Sequence, residues 1–236
     1  TVTLKSNGIF NSEQAFSVMG IGPQDNIFSI DAAELEQRLK KCPAIRRASV
    51  KRQISSNPTL LVDIDARIPV AWIDCPELGI HPGDATYGAL ADKEGVIFPC
   101  MEQVHTPYIR EKRMPSVTLR PPSSGKLSYG VSIRELEAPM KLIELLSGTV
   151  TEYLPSIVSI TTPNDWSFCV RFTNDCQATF SHYGLEHQVE KLSRALRHAR
   201  QTHRKISSIN LIPEHNIPVI FDDSYEDIPL AEPIEE

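Results

Sequence analysis

The side chains of this chain that could carry chemistry are seven histidines and a few clustered carboxylates. His182 and His187 stand five residues apart, and so do His198 and His203. Two metal ligands on one helix face need a spacing of three or four residues. The spacing therefore favours solvated helix surface over a metal site for these histidines.

A catalytic carboxylate pair is the second possibility. Asp63 and Asp65 share one strand face, but Arg67 stands beside them in a solvent-facing position of the pattern, which favours ordinary surface charge. The sequence has no phosphate-binding P-loop, no dinucleotide-type glycine motif, no Gly-x-Ser-x-Gly and no His-Glu-x-x-His. A hydrolase of cell-wall glycan, which needs two carboxylates across a cleft, stays an open alternative.

A basic helix face near the end of the chain is the third candidate. It could meet anionic lipid head groups or a nucleic-acid strand. However, no aromatic residues alternate with its cations for base stacking, and the net charge of −6 argues against nucleic acid as the main partner. We favour the polar side of an amphipathic helix. The face comprises Lys191, Arg194, Arg197, Arg200, Arg204 and Lys205.

Five cysteines cannot all pair, and none lies in a Cys-x-x-Cys spacing. Cys42 falls on an apolar helix face and is expected to be a small core residue. Cys75 and Cys100 each follow a strand that carries an aromatic residue, so a disulfide between them is open.

The stretch 31–72 is the clearest structural unit. Asp31 and Glu34 have the spacing of a helix capping box, and Leu35 and Leu39 begin an apolar helix face. Pro43 ends that helix. From residue 48 the apolar period becomes two, which predicts a hairpin over 48–67 with a turn at 55–58. Before it, 1–4 predicts a strand, and a helix capped by Asn11 or Ser12 should end at Gly20.

The second half predicts more strands and two further helices. A hairpin is expected over 90–98, and 99–122 is too rich in proline to assign. One helix should begin near Ala138 and end at Gly148. Strands are expected over 157–160, 166–180, 206–211 and 217–221, with Trp166, Phe168, Val170 and Phe172 on one common face. A helix opened by Gly184 carries the longest apolar stripe: Leu185, Val189, Leu192, Leu196 and Ala199.

The order strand, helix, helix, strand, strand, ending in Arg67-Ile68-Pro69-Val70-Ala71-Trp72, resembles the POTRA domain of the FtsQ/DivIB bacterial cell-division family. The stretch 90–98, Leu-Ala-Asp-Lys-Glu-Gly-Val-Ile-Phe, is similar to the strand pair that opens that family's second domain. The resemblance implies an α+β protein. It has a POTRA domain over 1–72 (a three-stranded sheet with two helices), a larger mixed-sheet β-domain over 73–221, and a tail over 222–236.

The tail holds seven acidic residues and no Lys or Arg, a composition that predicts disorder. The resemblance further implies a membrane helix preceding Thr1 and a periplasmic location on the inner membrane at the division septum. No apolar run within the chain itself approaches the roughly 20 residues that cross a bilayer.

The resemblance also implies a partner-binding site, because the FtsB subunit of the FtsB–FtsL pair docks on the last β-domain strand in FtsQ. An open edge strand can accept a strand from another protein, whereas proline is a common way to make an edge inert. Pro213 and Pro218 should therefore lie at an edge or a bulge. Carried over by position, the site comprises Ile217, Pro218, Val219, Ile220, Phe221, Ser224 and Tyr225.

The resemblance therefore implies a non-enzymatic division scaffold. It would bind FtsB/FtsL-type and other membrane divisome proteins, help to control septal peptidoglycan synthesis, and need no cofactor, metal or nucleic acid. The alternative is a POTRA-bearing, chaperone-like component of outer-membrane protein assembly or secretion. That class predicts repeated POTRA units or a following barrel, and the sequence has no internal repeat.

Overall fold

The computed structural model describes residues 2–22, 25–26, 30–54, 58–148 and 154–222. The chain forms two compact units, Thr1–Met140 and Lys141–Glu236, and α4 (Arg134–Gly148) contains the point of division. The domain boundary near residue 72 stays a prediction. Beyond Asp222, the acidic tail lies outside the described residues, as do the turn residues 55–57.

The first unit opens with the predicted order of elements. It comprises β1 (Val2–Ser6), α1 (Ser12–Met19), α2 (Ala32–Lys40), β2 (Ile45–Gln53) and β3 (Thr59–Ala66). The three strands form one sheet in the order β1-β3-β2, with β1 parallel and β2 antiparallel to β3. Its apolar side packs against both helices, as the buried Met19, Leu39 and Val62 show. The predicted three-stranded sheet with two helices is confirmed.

The capping of the two helices differs in one respect from the prediction. Asn11 forms a full capping box with Gln14, and Gly20 closes α1 in the left-handed conformation with φ of 69°. Asp31 caps α2 by accepting from the Ala33 amide at 2.9 Å. The predicted capping box with Glu34 is wrong: that carboxylate points along the helix and binds Arg38 at 2.7 Å.

The remainder of the first unit builds short strands of mixed direction: β4 (Ala71–Asp74), β5 (Ala89–Ala91), β6 (Ile97–Pro99) and β7 (Ser116–Thr118). β4 runs parallel to β7 and antiparallel to β5, and β5 pairs with β6 in the predicted hairpin. The stretch 99–122, which the sequence left unassigned, contains a helix, α3 (Glu102–Glu111), with Pro107 inside it. The predicted start of α4 near Ala138 is wrong, since the helix begins at Arg134. Burial of Leu136 and Met140 offsets the backbone bond that Pro139 cannot make.

The second unit contains β8 (Ile157–Thr161), β9 (Ser167–Phe172), β10 (Gln177–Ser181), α5 (Leu185–Gln201), β11 (Lys205–Asn210) and β12 (Val219–Asp222). Neighbouring strands are antiparallel except for β10 and β11, which are parallel. The face predicted to be shared by Trp166 and Phe168 is wrong. Trp166 precedes β9 and is 59% exposed, whereas Phe168 and Phe180 stack in the core with ring centroids 5.6 Å apart.

Candidate partner-binding edge

The predicted site lies at the last strand of the second unit. β12 pairs antiparallel with β11, which places Ile220 opposite Ser208 and Val219 opposite Ile209. Among the described strands, β11 is the only one that β12 pairs with, so its other side is a sheet edge. Such an edge presents backbone donors and acceptors that can take a further strand.

The direction of the backbone groups follows from one hydrogen bond. The Asn210 amide donates to the Pro218 carbonyl at 3.0 Å, so Pro218 faces β11. In an antiparallel ladder the inward and outward residues alternate. The amide and carbonyl of Ile220 therefore point toward β11 as well, while the amides and carbonyls of Val219 and Phe221 point outward. Pro218 removes a donor from the β11 side and leaves this outer row intact.

The side chains of β12 combine apolar contact with positive charge. Ile220 is 64% exposed and presents an aliphatic side chain to solvent. The Arg204 guanidinium lies over the Phe221 ring, 3.6 Å from its centroid, in cation–π geometry. Lys205 Nζ lies 3.6 Å from the Asp222 carboxylate. An exposed apolar residue with cations beside one end of its strand suits a partner segment that is apolar and carries acidic residues near one end.

The preceding loop, residues 211–218, holds the edge in place. Its first amide, that of Leu211, donates to the Thr179 carbonyl of β10 at 2.9 Å. Farther along, Lys191 Nζ of α5 donates to the Pro213 carbonyl at 2.8 Å. Asn216 takes a left-handed conformation with φ of 53°, which asparagine tolerates better than most residues. These contacts fix where β12 begins.

Helix α5 supports β10 and β11 from one side. The buried members of its predicted apolar stripe include Leu185, Leu192 and Ala199, while Leu196 is only half-buried. Gln188 is also buried, and its side chain accepts from the Ser181 amide and donates to the Tyr183 carbonyl. The register of β11 shifts by one residue between Ile206 and Ser208, a bulge that adds local twist to the edge pair.

Not every predicted site residue lies in the strand. Val219, Ile220 and Phe221 do, whereas Ile217 and Pro218 immediately precede it. Ser224 and Tyr225 lie outside the described residues. Sequence reasoning missed the contribution of Arg204, which it placed among solvated cations. A basic residue at the end of a helix that returns to the sheet is the only signal that could have indicated this ring contact.

The carboxylates considered for catalysis serve other purposes. Asp65 binds the exposed Arg47 at 2.8 Å, and Asp63 lies 3.9 Å from Lys5, so both belong to surface ion pairs. The surface position predicted for Arg67 is wrong. Its side chain is 12% exposed and binds Asp92 at 2.6 Å, because the turn after β5 folds over it.

Three of the four histidines predicted on helix surface are exposed, and the fourth is not. His187, His198 and His203 are exposed. The surface position predicted for His182 is wrong. This residue precedes α5, and its ring lies against that of Phe168 with the centroids 5.4 Å apart. Burial there lowers the pKa of His182. Within the described ranges, no three His, Cys, Asp or Glu side chains are placed to hold a metal ion.

His105 was not singled out by the sequence. Its ring is fully buried against Phe98, its Nδ1 accepts from the Met101 amide at 2.9 Å, and burial lowers its pKa to about 4. The imidazole is therefore neutral at neutral pH and accepts a hydrogen bond from the residue that precedes α3.

All five cysteines are free thiols, so the disulfide considered for Cys75 and Cys100 is not formed. Both of these are buried, and burial raises the pKa of the Cys100 thiol to about 11. Cys42 contacts Met101, and both are partly buried against the core, as expected for a small apolar residue. The burial of Cys75 and Cys100 is typical of structural thiols.

The two-helix, three-stranded arrangement at the start of the chain is that of a POTRA domain. Residues 1–65 match the family model described as POTRA domain, FtsQ-type. The FtsQ/DivIB-type resemblance is thus confirmed over this domain, and it connects the chain with bacterial cell division. The FtsQ-type POTRA family is a family of non-catalytic scaffolds. A comparison with curated proteins found no match. Among the described residues, no helix is both long and apolar enough to span a bilayer.

Proposed function

We propose that this protein is a non-enzymatic scaffold of the bacterial division machinery that binds an FtsB/FtsL-type partner by strand addition at β12. The outward backbone groups of Val219 and Phe221 carry the proposal. A guest strand adds hydrogen bonds to both residues and packs an apolar side chain against Ile220.

The electrostatics of this edge support the choice of partner. Arg204 and Lys205 both lie beside the C-terminal end of β12, at Phe221 and Asp222, and Arg197 and Arg200 are exposed on α5. Positive charge at the rim of an interface speeds association with an acidic segment and fixes its register. The partner segment that fits is therefore an extended strand with alternating apolar residues and carboxylates near one end.

The FtsQ-type POTRA domain supports the place of action. A division scaffold of this type works on the extracytoplasmic face of the inner membrane at the septum, anchored by a segment that precedes Thr1. By holding partners there it helps to control septal peptidoglycan synthesis. The POTRA sheet offers a further surface for other membrane proteins of the division machinery.

The test is hydrogen exchange of the chain alone and with the soluble region of an FtsB–FtsL-type pair. We expect slower exchange at the amides of Val219 and Phe221 in the complex. Val219→Pro removes one outward amide without touching the β11 ladder, so it should weaken binding about tenfold or more. Val219→Ala keeps the amide and serves as the matched control.

Protection that appears elsewhere in a folded protein, with none at β12, would contradict strand addition at this edge. Equal binding by the proline and alanine variants would have the same meaning. The exposed sheet of the POTRA domain would then be the next surface to test.

A further inference from the structure

The POTRA sheet has an edge of its own at β2, and one amide of that edge is occupied by a side chain. The Val50 amide donates to Glu36 Oε2 of α2 at 3.1 Å, so it points away from β3. Because outward residues alternate along an antiparallel strand, Ala48 and Arg52 face the same way. Within the described ranges, their outward amides have no partner.

Helix α2 holds that carboxylate in position. Glu36 Oε1 binds Lys40 Nζ at 2.5 Å, one helical turn away, which leaves Oε2 for Val50. The Lys40 bond and the Val50 amide, in that order, lower the pKa of Glu36. The Arg52 guanidinium also donates to the Ile30 carbonyl just before α2. A guest strand centred on Val50 would therefore meet a charged side chain where it needs a free amide.

The sequence of β2 permits pairing with itself in a register that avoids directly opposed like charges. In an antiparallel two-fold pair centred on Val50, Lys51 lies opposite Ser49 of the second copy and Arg47 lies opposite Gln53. Arg52 lies opposite Ala48. Every cation of the strand thus faces a neutral residue, although like charges directly opposite each other would destabilise the pair. A two-fold strand pair also closes on itself without forming a fibre.

We propose that β2 is a self-association edge for a second copy of this chain and that Glu36 keeps it closed. Glu36 occupies the Val50 amide and places a negative charge where the added strand would lie. Displacement of Glu36 frees the Val50 amide, so that Ala48, Val50 and Arg52 can all pair with the same strand of the second copy. This inference does not depend on the function proposed for β12.

The test compares Glu36→Ala with the unchanged chain by sedimentation velocity over a concentration series. The unchanged chain should keep the monomer mass of 26.4 kDa. The variant should rise toward twice that mass as concentration increases. Glu34→Ala is the matched control, because Glu34 makes the same kind of pair with Arg38 on the same helix but does not contact β2. It should remain monomeric.

A second variant tests the register. Adding Ser49→Lys to Glu36→Ala places lysine opposite Lys51 of the second copy and should return the mass to that of the monomer. A folded Glu36→Ala variant that stays monomeric at every concentration would overturn the proposal. Dimers that survive the added lysine, or that also form with Glu34→Ala, would overturn it equally, since they would involve another surface or another cause.

Discussion

The buried ion pair between Arg67 and Asp92 gives the sharpest prediction for the first unit. Arg67 Nη1 lies 2.6 Å from Asp92 Oδ2, and the two side chains are only 12% and 7% exposed. Arg67 Nε also donates to the Pro43 carbonyl at 3.1 Å. The other carboxylate oxygen accepts from the amides of Glu94 and Val96. Removing the guanidinium leaves a buried carboxylate without its counter-charge.

We expect Arg67→Met to lower the free energy of unfolding by about 3–5 kcal/mol, the usual cost of an uncompensated buried charge. Methionine keeps most of the aliphatic volume, so the loss reports on charge rather than on packing. The double variant Arg67→Met/Asp92→Asn should lose less than Arg67→Met alone. Its neutral side chain still accepts from the turn amides, and no unpaired charge remains buried.

The assay is urea unfolding followed by tryptophan fluorescence in a Trp166→Phe background. The chain has two tryptophans, and the remaining Trp72 is buried in the first unit, five residues after Arg67. Arg46→Met is the matched control. Its pair with Glu94 is also 2.6 Å long but is 43% and 42% exposed, so it should cost about 0–1 kcal/mol.

The reasoning fails if Arg67→Met costs no more than Arg46→Met. It also fails if the double variant costs as much as the sum of Arg67→Met and Asp92→Asn, because the two groups would then act independently.

Three further predictions concern the core. Phe168→Ala removes one ring of the buried stack with Phe180 and should cost about 3–5 kcal/mol, measured by urea unfolding. His105 has its folded pKa lowered to about 4, below its unfolded value near 6.5, so its contribution is present above pH 6.5 and is lost as the pH falls toward 4. Stability should drop there by roughly 1.4 kcal/mol per pH unit, and His105→Asn should remove this slope. Gly88→Ala would place a Cβ 2.1 Å from the Asp84 carbonyl oxygen, so we expect a large loss of the soluble, folded protein on expression.

Local signals in the sequence were sufficient for most elements of the POTRA domain. Asn11 and Asp31 cap the two helices as predicted because capping depends on residues within one turn. The strict alternation over Thr59–Ala66 likewise identifies the buried side of β3, since strand periodicity is local. The stripe of α5 was predicted for the same reason.

The features that the sequence did not predict depend on distant residues. Arg67 occupies a position that alternation assigns to solvent, and only the turn at Asp92, 25 residues later, buries it. In α3, the packing of Val104 and His105 outweighs the helix-breaking tendency of Pro107. The outward direction of Val219 depends on the register against β11, which a bulge shifts by one residue.

The apolar core beside the POTRA sheet continues past the residues that define the POTRA family. Met19 and Leu39 belong to the same buried cluster as Leu90, Phe98 and Val104. A fragment that stopped at residue 72 would expose this surface and would lose the carboxylate that neutralises Arg67. We therefore expect such a fragment to fold poorly or to aggregate. Exchange of POTRA domains between relatives should succeed only when the segment up to α3 is exchanged with them. The segment that matches the POTRA family, residues 1–65, is thus shorter than the segment that we expect to fold cooperatively.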